Sequence, residues 1–286
     1  MLTLTNELIQ YKPKEKIWFF ISLIILFFIA LLSLFPFYWM IVRAFQPTSA
    51  SYKIPPDFFP VNPTLFNFER LFAKTAILRW FINSCIVAGS CTFLTLMFAS
   101  MSGYAFAKKR FPGRQIIFWV LMTAMMFPRQ VMLIPLFILM NRYNLYNTHP
   151  GMFLPMVANP LGLFMMRQFM QGIPDDIIQS AKIDGAGEFL IYRKIILPMS
   201  LAAFGAVGIL YFVNTWNDYL WQLVMSKNTK MFTLPVGIAT ISKTLFETDY
   251  GLAMAGSVIG AIPMIAIFLA FQKYFISGIT LGALKG

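Results

Sequence analysis

The residue pattern predicts an all-α integral membrane protein with six transmembrane helices and one cytoplasmic helix–turn–helix. Three observations carry that expectation. Hydrophobic residues make up 58% of the chain and charged residues only 12%, whereas a water-soluble domain uses roughly 25% charged residues. Six apolar segments approach or exceed the roughly 20 residues that a helix needs to cross a hydrocarbon core. Between the fourth and fifth of these lies an amphipathic stretch, 170–198, that cannot cross a bilayer.

The spans are expected at Ile17–Trp39, Trp80–Ala107, Gln115–Asn141, Met152–Met166, Met199–Tyr219 and Leu252–Phe271. The first follows Lys12, Lys14 and Lys16 and is too long for a secretion-signal core; no small-residue cleavage site follows Pro36-Phe37-Tyr38-Trp39, so it is kept as a span. The third contains Pro128, Arg129 and Pro135, which predicts a kinked helix with a wetter outer part. The fourth is the weakest, because Pro155 and Pro160 interrupt a short apolar run.

Basic residues in short loops mark the cytoplasmic side. Lys108, Lys109, Arg110 and Arg114 crowd the connection after the second span. Placing them inside puts both termini and the 170–198 loop inside as well. Trp18, Trp39, Trp80, Trp216 and Trp221 fall near span ends, as interfacial belts require. No fixed-period repeat or low-complexity linker divides the chain, so residues 1–286 read as a single transmembrane domain.

The net charge of +12 does not point to nucleic acid, since the basic residues sit in short clusters between apolar runs rather than along one solvated face. Cys85 and Cys91 lie within one apolar run on different sides of a helix and read as packing residues, not as a disulfide. His149 has no Cys or His cluster around it, so no metal site is expected.

The 170–198 loop reads as two short helices. Pro174 suits a first helical turn, and Asp175 and Asp176 complement the positive end of the helix dipole. Ile177, Ile178 and Ala181 give the first helix an apolar side. Asp184-Gly185 breaks it, because glycine takes the left-handed conformation at no steric cost. The second helix runs from about Glu188 to Leu197-Pro198. A helix–turn–helix at the membrane surface is placed to press into a groove on a cytoplasmic partner; the residues alone leave an amphipathic connection with no partner equally open.

The spacing Gln179-Ser180-Ala181, three residues, Gly185, then Ile195-Ile196-Leu197-Pro198 resembles the coupling motif of ABC importer permeases, written EAA, x3, G, x9, I-x-L-P. Ala181-Lys182-Ile183-Asp184-Gly185-Ala186 is similar to the variant of the carbohydrate-uptake branch, which includes the maltose transporter. Two further segments extend the resemblance to nearly the whole chain. Asn214-Thr215-Trp216-Asn217-Asp218-Tyr219-Leu220-Trp221 with Phe232-Thr233-Leu234-Pro235-Val236-Gly237 looks like the fifth span and outer loop of that branch. Gln272-Lys273-Tyr274-Phe275 with Gly278–Gly286 looks like the tail of its smaller inner-membrane subunit. Gln179 and Ser180 depart from the usual Glu-Ala and remove a carboxylate from the expected contact.

The resemblance implies a type I (MetI-like) permease of a binding-protein-dependent importer in a bacterial cytoplasmic membrane. It assigns ATPase coupling to Gln179, Ser180, Ala181, Asp184, Gly185, Ala186, Ile195, Leu197 and Pro198. It sends a glycine-rich strand containing Thr280, Gly282, Lys285 and Gly286 toward the ATPases. It turns the outer loop with Lys227, Asn228, Thr229 and Lys230 toward a solute-binding protein, although a merely solvated loop fits the residues as well. Its implied partners are a second permease, two ATP-binding subunits, an extracytoplasmic solute-binding protein, a sugar or oligosaccharide, and the lipid bilayer.

Asn217, Asp218 and Arg129 are candidates for the translocation path or a gate. An interfacial role is favoured for Asp218 over direct sugar contact, and Arg129 also fits an arginine snorkelling toward the outer surface. No lysine follows a glycine anywhere, so the chain has no phosphate-binding loop. No catalytic residue and no cofactor are expected here; ATP and Mg belong to partner subunits. A permease for glycerol-phosphate compounds is an alternative substrate class. A secondary transporter would need embedded carboxylates, which five of the six segments lack, and an intramembrane enzyme would need motifs that are absent.

Overall fold

A computed structural model describes residues 13–47, 53–241 and 249–283. Among these every regular element is helical. The first helix, α1 (Pro13–Ala44), is apolar around most of its length and carries Trp18, Leu26 and Leu32 exposed. Such a surface is stable only in lipid or against another apolar chain. A short helix α2 (Phe66–Lys74) follows.

The central element is α3 (Ile77–Lys108), whose 32 residues make a rod about 48 Å long at 1.5 Å per residue. Small residues let neighbours approach it closely. A Cβ on Gly103 would lie 2.6 Å from the Met166 Cβ, and one on Gly162 would lie 3.1 Å from the Ala99 Cβ. These contacts seat α7 (Pro160–Gln171) along α3, the most extensive helix pair in the fold. On another side α3 packs on α11 (Leu201–Trp216), which in turn packs on α14 (Tyr250–Ala283).

Among the described residues three helices, at Lys16–Ala44, Ile77–Lys108 and Tyr250–Gln272, are long and apolar enough to cross a membrane. The bent pair Glu188–Met199 and Leu201–Trp216, at 77°, makes a fourth if counted as one. The expected third and fourth spans are both broken. In place of a kinked helix over Gln115–Asn141 the chain forms α4 (Arg114–Thr123), a 3-10 turn at Ala124–Met126, an irregular stretch, and α5 (Leu133–Arg142). Phe127 is extended, at φ −78° and ψ 122°, as the residue before a proline must be. The expected Met152–Met166 span is split into α6 (His149–Val157) and α7 by Ala158-Asn159, with Pro160 opening α7.

The second break is closed internally. Asn159 caps α7 by accepting the Leu161 N–H at 3.0 Å, and the Gly162 N–H donates to the Tyr211 hydroxyl at 2.9 Å. That hydroxyl donates back to the Asn159 carbonyl at 3.3 Å. Broken backbone at membrane depth needs such partners, because lipid offers none.

Three of the five tryptophans that fall near expected span ends are packed inside the fold. Trp80, Trp216 and Trp221 are buried and donate their indole N–H groups to the carbonyls of Thr229, Gly260 and Met152, at 2.7, 3.1 and 3.1 Å. Each buries a large ring and satisfies its one polar atom within the fold. Trp18 remains exposed.

The tail departs from the expected strand. The segment from Thr280 to Ala283, including Gly282, continues α14, while Lys285 and Gly286 lie outside the described residues. Gly278 and Gly282, at about 1 kcal/mol each relative to alanine, do not break so long an apolar helix.

Candidate functional site: a coupling loop and a cleft on one scaffold

The loop after α7 begins with α8 (Asp175–Ile183). Its buried side, Ile178 and Ala181, packs with Ile173 against Met166, Met170 and Ile191. Gln179 and Ser180 lie on the opposite, exposed side. The C-terminus of α8 explains the motif spacing. Gly185 sits at φ +80°, and its N–H donates to the Lys182 carbonyl at 3.0 Å while the Ala186 N–H reaches the Ala181 carbonyl at 2.9 Å. These paired bonds form a Schellman cap, with glycine at the left-handed position and Ala186 packed on the cluster containing Ala181. Ala181, Gly185 and Ala186 are thus one structural unit, and Asp184 is its cap residue.

A Cβ at Gly185 would meet nothing within 4 Å. Its requirement for glycine therefore lies in the backbone conformation, where other residues cost about 1–2 kcal/mol. Around the turn the chain presents apolar side chains outward: Ile183 is 86% exposed and Phe189 67%. Apolar side chains this exposed beside a tight turn suit a protein groove better than water.

The second helix, α9 (Glu188–Ile191), starts where expected but does not end at Leu197-Pro198. It widens into a π turn at Tyr192–Ile196, in which the Leu197 N–H bonds to the Tyr192 carbonyl, and continues as α10 (Leu197–Met199). Pro198 has no N–H to give to the preceding turn, and the wider register absorbs the loss. The chain then bends by 77° at Ser200 into α11. Ile195 and Leu197 are half-buried on this segment, and Pro198 is exposed.

The loop is fastened to the end of α3. Lys108, its side chain only 5% exposed, bonds Asp175 at 2.7 Å and also the Ile173 carbonyl. Glu188 accepts from Lys109, from Lys182 at 3.0 Å and from the Tyr104 hydroxyl at 3.1 Å. Ser100 and Tyr192 share a hydrogen bond of 2.6 Å. The Lys109 and Lys182 ammonium groups hold the Glu188 carboxyl down at about 2, and Lys108 holds Asp175 below the usual carboxylate range. Sequence reasoning used Lys108 and Lys109 only to orient the chain; their carboxylate partners are far ahead in sequence, so no local spacing announced the pairing.

The other end of α3 holds the outer loop. After α12 (Leu220–Met225) the chain forms a 3-10 turn at Thr229–Met231 and then α13 (Leu234–Ile241). Arg79 donates to the Lys230 carbonyl and Asn83 to the carbonyls of Lys230 and Phe232, each at 2.9 Å. Asn147 accepts the Lys227 N–H at 2.9 Å. Asn83 spends its amide N–H groups on those carbonyls, so its oxygen accepts from His149 Nε2 at 3.0 Å. The backbone of Lys227, Asn228, Thr229 and Lys230 is fixed from below, and all four side chains are exposed.

Between these two ends lies a cleft of about 840 Å³. Both helix breaks open onto it, through Phe127, Arg129 and Gln130 on one side and Ala158, Asn159 and Pro160 on the other, with Asn214, Thr215 and Asp218 behind. Arg129 Nη2 lies 3.5 Å from Asp218 Oδ2. The structure thus brings Arg129 and Asp218 together. Asn217 caps α11, is exposed, and is not part of the cleft wall.

A helical membrane chain with discontinuous helices around a cleft, and a capped helix–turn–helix clamped to its central rod, defines a transport permease subunit. The chain belongs to the family of binding-protein-dependent transport system inner membrane components, whose model matches residues 95–280. It is similar to the arabinooligosaccharides transport system permease protein AraQ of Bacillus subtilis, 36% identical over 98% of this chain and 100% of that one. It is also similar to the trehalose/maltose transport system permease protein MalG of Thermococcus litoralis, 33% identical over 90% and 93% of the two chains. The fold matches a chain of a solved bacterial ABC transporter involved in the import of the acidic polysaccharide alginate, at TM-score 0.83 and 21% identity over 93% and 99% of the two chains.

Proposed function

We propose that this chain is one of two permease subunits of an ATP-driven importer for sugars or oligosaccharides, spanning the bacterial cytoplasmic membrane six times with both termini inside. The single observation that carries the reading is the Gly185 turn: a capped helix end that holds Ile183 and Phe189 outward while Lys108, Lys109 and Tyr104 tie its flanks to α3. Two ATP-binding subunits, carrying ATP and Mg, receive that turn in a groove. Closure of the subunits on nucleotide then moves the loop and, through the clamp, the rod. Gln179 and Ser180 present neutral groups to the partner in place of a carboxylate. The segment containing Thr280 and Gly282 approaches the same subunits.

The cleft with Arg129 and Asp218 forms this chain's wall of the solute path, and a second permease supplies the other wall. The backbone-fixed loop with Lys227, Asn228, Thr229 and Lys230 faces the solute-binding protein, since a rigid platform with free side chains is preorganised for docking. Sugar uptake is favoured by the relatives named for arabinooligosaccharides and for trehalose and maltose. The test is uptake into proteoliposomes by the assembled complex, with the ATP-binding subunits present or omitted. Uptake is expected only when they are present; undiminished uptake without them would contradict the proposal.

A further inference from the structure

Among the described residues that line the cleft, two are charged, Arg129 and Asp218, and they face each other at 3.5 Å. The remaining polar groups are neutral: the amides of Asn159, Asn214 and Gln130 and the hydroxyls of Thr215 and Tyr211. Asp218 is the deeper partner, its side chain 13% exposed, and Arg129 reaches over it at 63%. The wall therefore offers many hydrogen-bonding groups and no uncompensated charge.

We infer that Asp218 sets the substrate class of this cleft by cancelling the Arg129 charge, so that the wall accepts uncharged polyhydroxylated solutes and disfavours anionic ones such as uronates and sugar phosphates. The inference rests on reading the cleft as part of the solute path. Its physics is direct. A lone guanidinium attracts a carboxylate or phosphate through charge-assisted, often paired hydrogen bonds. With Asp218 beside it, an incoming anion gains the attraction of one group and meets the repulsion of the other. A neutral sugar loses nothing by the pairing, because its hydroxyls bond equally well to amides and to the outward N–H groups of Arg129.

The experiment uses the assembled complex of this chain, its partner permease and the ATP-binding subunits in nanodiscs, with no binding protein present. Equilibrium dialysis measures retention of two radiolabelled probes, maltotriose and trigalacturonate, and the ratio is read for each variant. Wild type is expected to favour maltotriose. Asp218→Asn shifts the ratio toward trigalacturonate by roughly tenfold; its amide oxygen still accepts the backbone N–H groups of Leu220 and Trp221 that Asp218 holds. Arg129→Gln shifts the ratio the opposite way, and the double variant returns to within about twofold of wild type, as a cycle of interacting charges requires.

A ratio unmoved by Asp218→Asn, shifts of the same sign in both single variants, or no retention of either probe by wild type would overturn the inference. ATP-dependent uptake by the complex is scored separately. A complex that imports only with its ATP-binding subunits but shows no charge-dependent ratio refutes this inference and leaves the transport reading intact.

Discussion

The Tyr104 hydroxyl, near the end of the central rod α3, donates to Glu188 at 3.1 Å, and Glu188 opens the second helix of the coupling loop. Lys109 and Lys182 bond the same carboxylate. One side chain thus joins the rod, the first loop helix and the second.

Replacing Glu188 by glutamine is expected to loosen this junction without unfolding the chain. Glu188 is half exposed, so each ion pair contributes no more than about 1 kcal/mol after solvent screening, and the effect is local. Hydrogen exchange of the amides from Gly187 to Ile196 should accelerate several-fold. Lys109→Met should do so to a smaller extent, and the double variant should exchange little faster than Glu188→Gln alone, because the Lys109 contact is one of those that Glu188→Gln already weakens.

The same junction has a signed pH dependence. Its partners lower the Glu188 carboxyl from 4.5 to about 2, so its contribution is fully present above pH about 4.5 and fades as the pH falls through about 2. Exchange over Gly187–Ile196 should therefore rise in acid beyond the intrinsic trend in wild type, and Glu188→Gln should not show that extra rise. An identical acid response in the two proteins would remove Glu188 from the account.

Tyr211→Phe tests the break between α6 and α7. The hydroxyl serves both the Gly162 N–H and the Asn159 carbonyl, and leaving such buried groups unpaired costs about 1–3 kcal/mol. Thermal unfolding of the purified complex should shift down by several degrees. Tyr143→Phe, at an exposed position, should leave it unchanged.

Much of this arrangement was legible in the sequence. Period and composition identified the helical membrane class, and the helix–turn–helix of the loop was read from Gly185 and Glu188, which act through local backbone chemistry; Pro174, expected in the first helical turn, instead precedes it as the extended cap residue. The breaks in the third and fourth apolar segments were not read. A proline announces a kink, but separation into two helices depends on distant partners such as Tyr211. The buried packing of Trp80, Trp216 and Trp221 was hidden for a similar reason: proximity to a span end is a sequence property, whereas their carbonyl partners are set by tertiary packing. The strand expected from Thr280 failed because glycine content alone does not end a helix.

Gly237 tests the outer loop. A Cβ there would run into the Trp80 indole, which itself donates to the Thr229 carbonyl. Gly237→Val should displace Trp80 and unseat the backbone of Lys227–Lys230. ATP hydrolysis by the complex should then lose its stimulation by the solute-binding protein, and Trp80→Ala in the same chain should relieve the clash without restoring stimulation, because the bond to the Thr229 carbonyl is still missing.

The central claim is that force passes from the ATP-binding subunits to this chain through the turn at Gly185. Its most direct measurement is the amount of solute imported per ATP hydrolysed by proteoliposomes, compared between wild type and Gly185→Leu, with membrane insertion of both checked by fractionation. Leucine at a φ of +80° is strained by about 1–2 kcal/mol and unmakes the cap, so the ratio should fall roughly tenfold, the factor that about 1.4 kcal/mol carries. An unchanged ratio, with the variant inserted and assembled, would contradict the account.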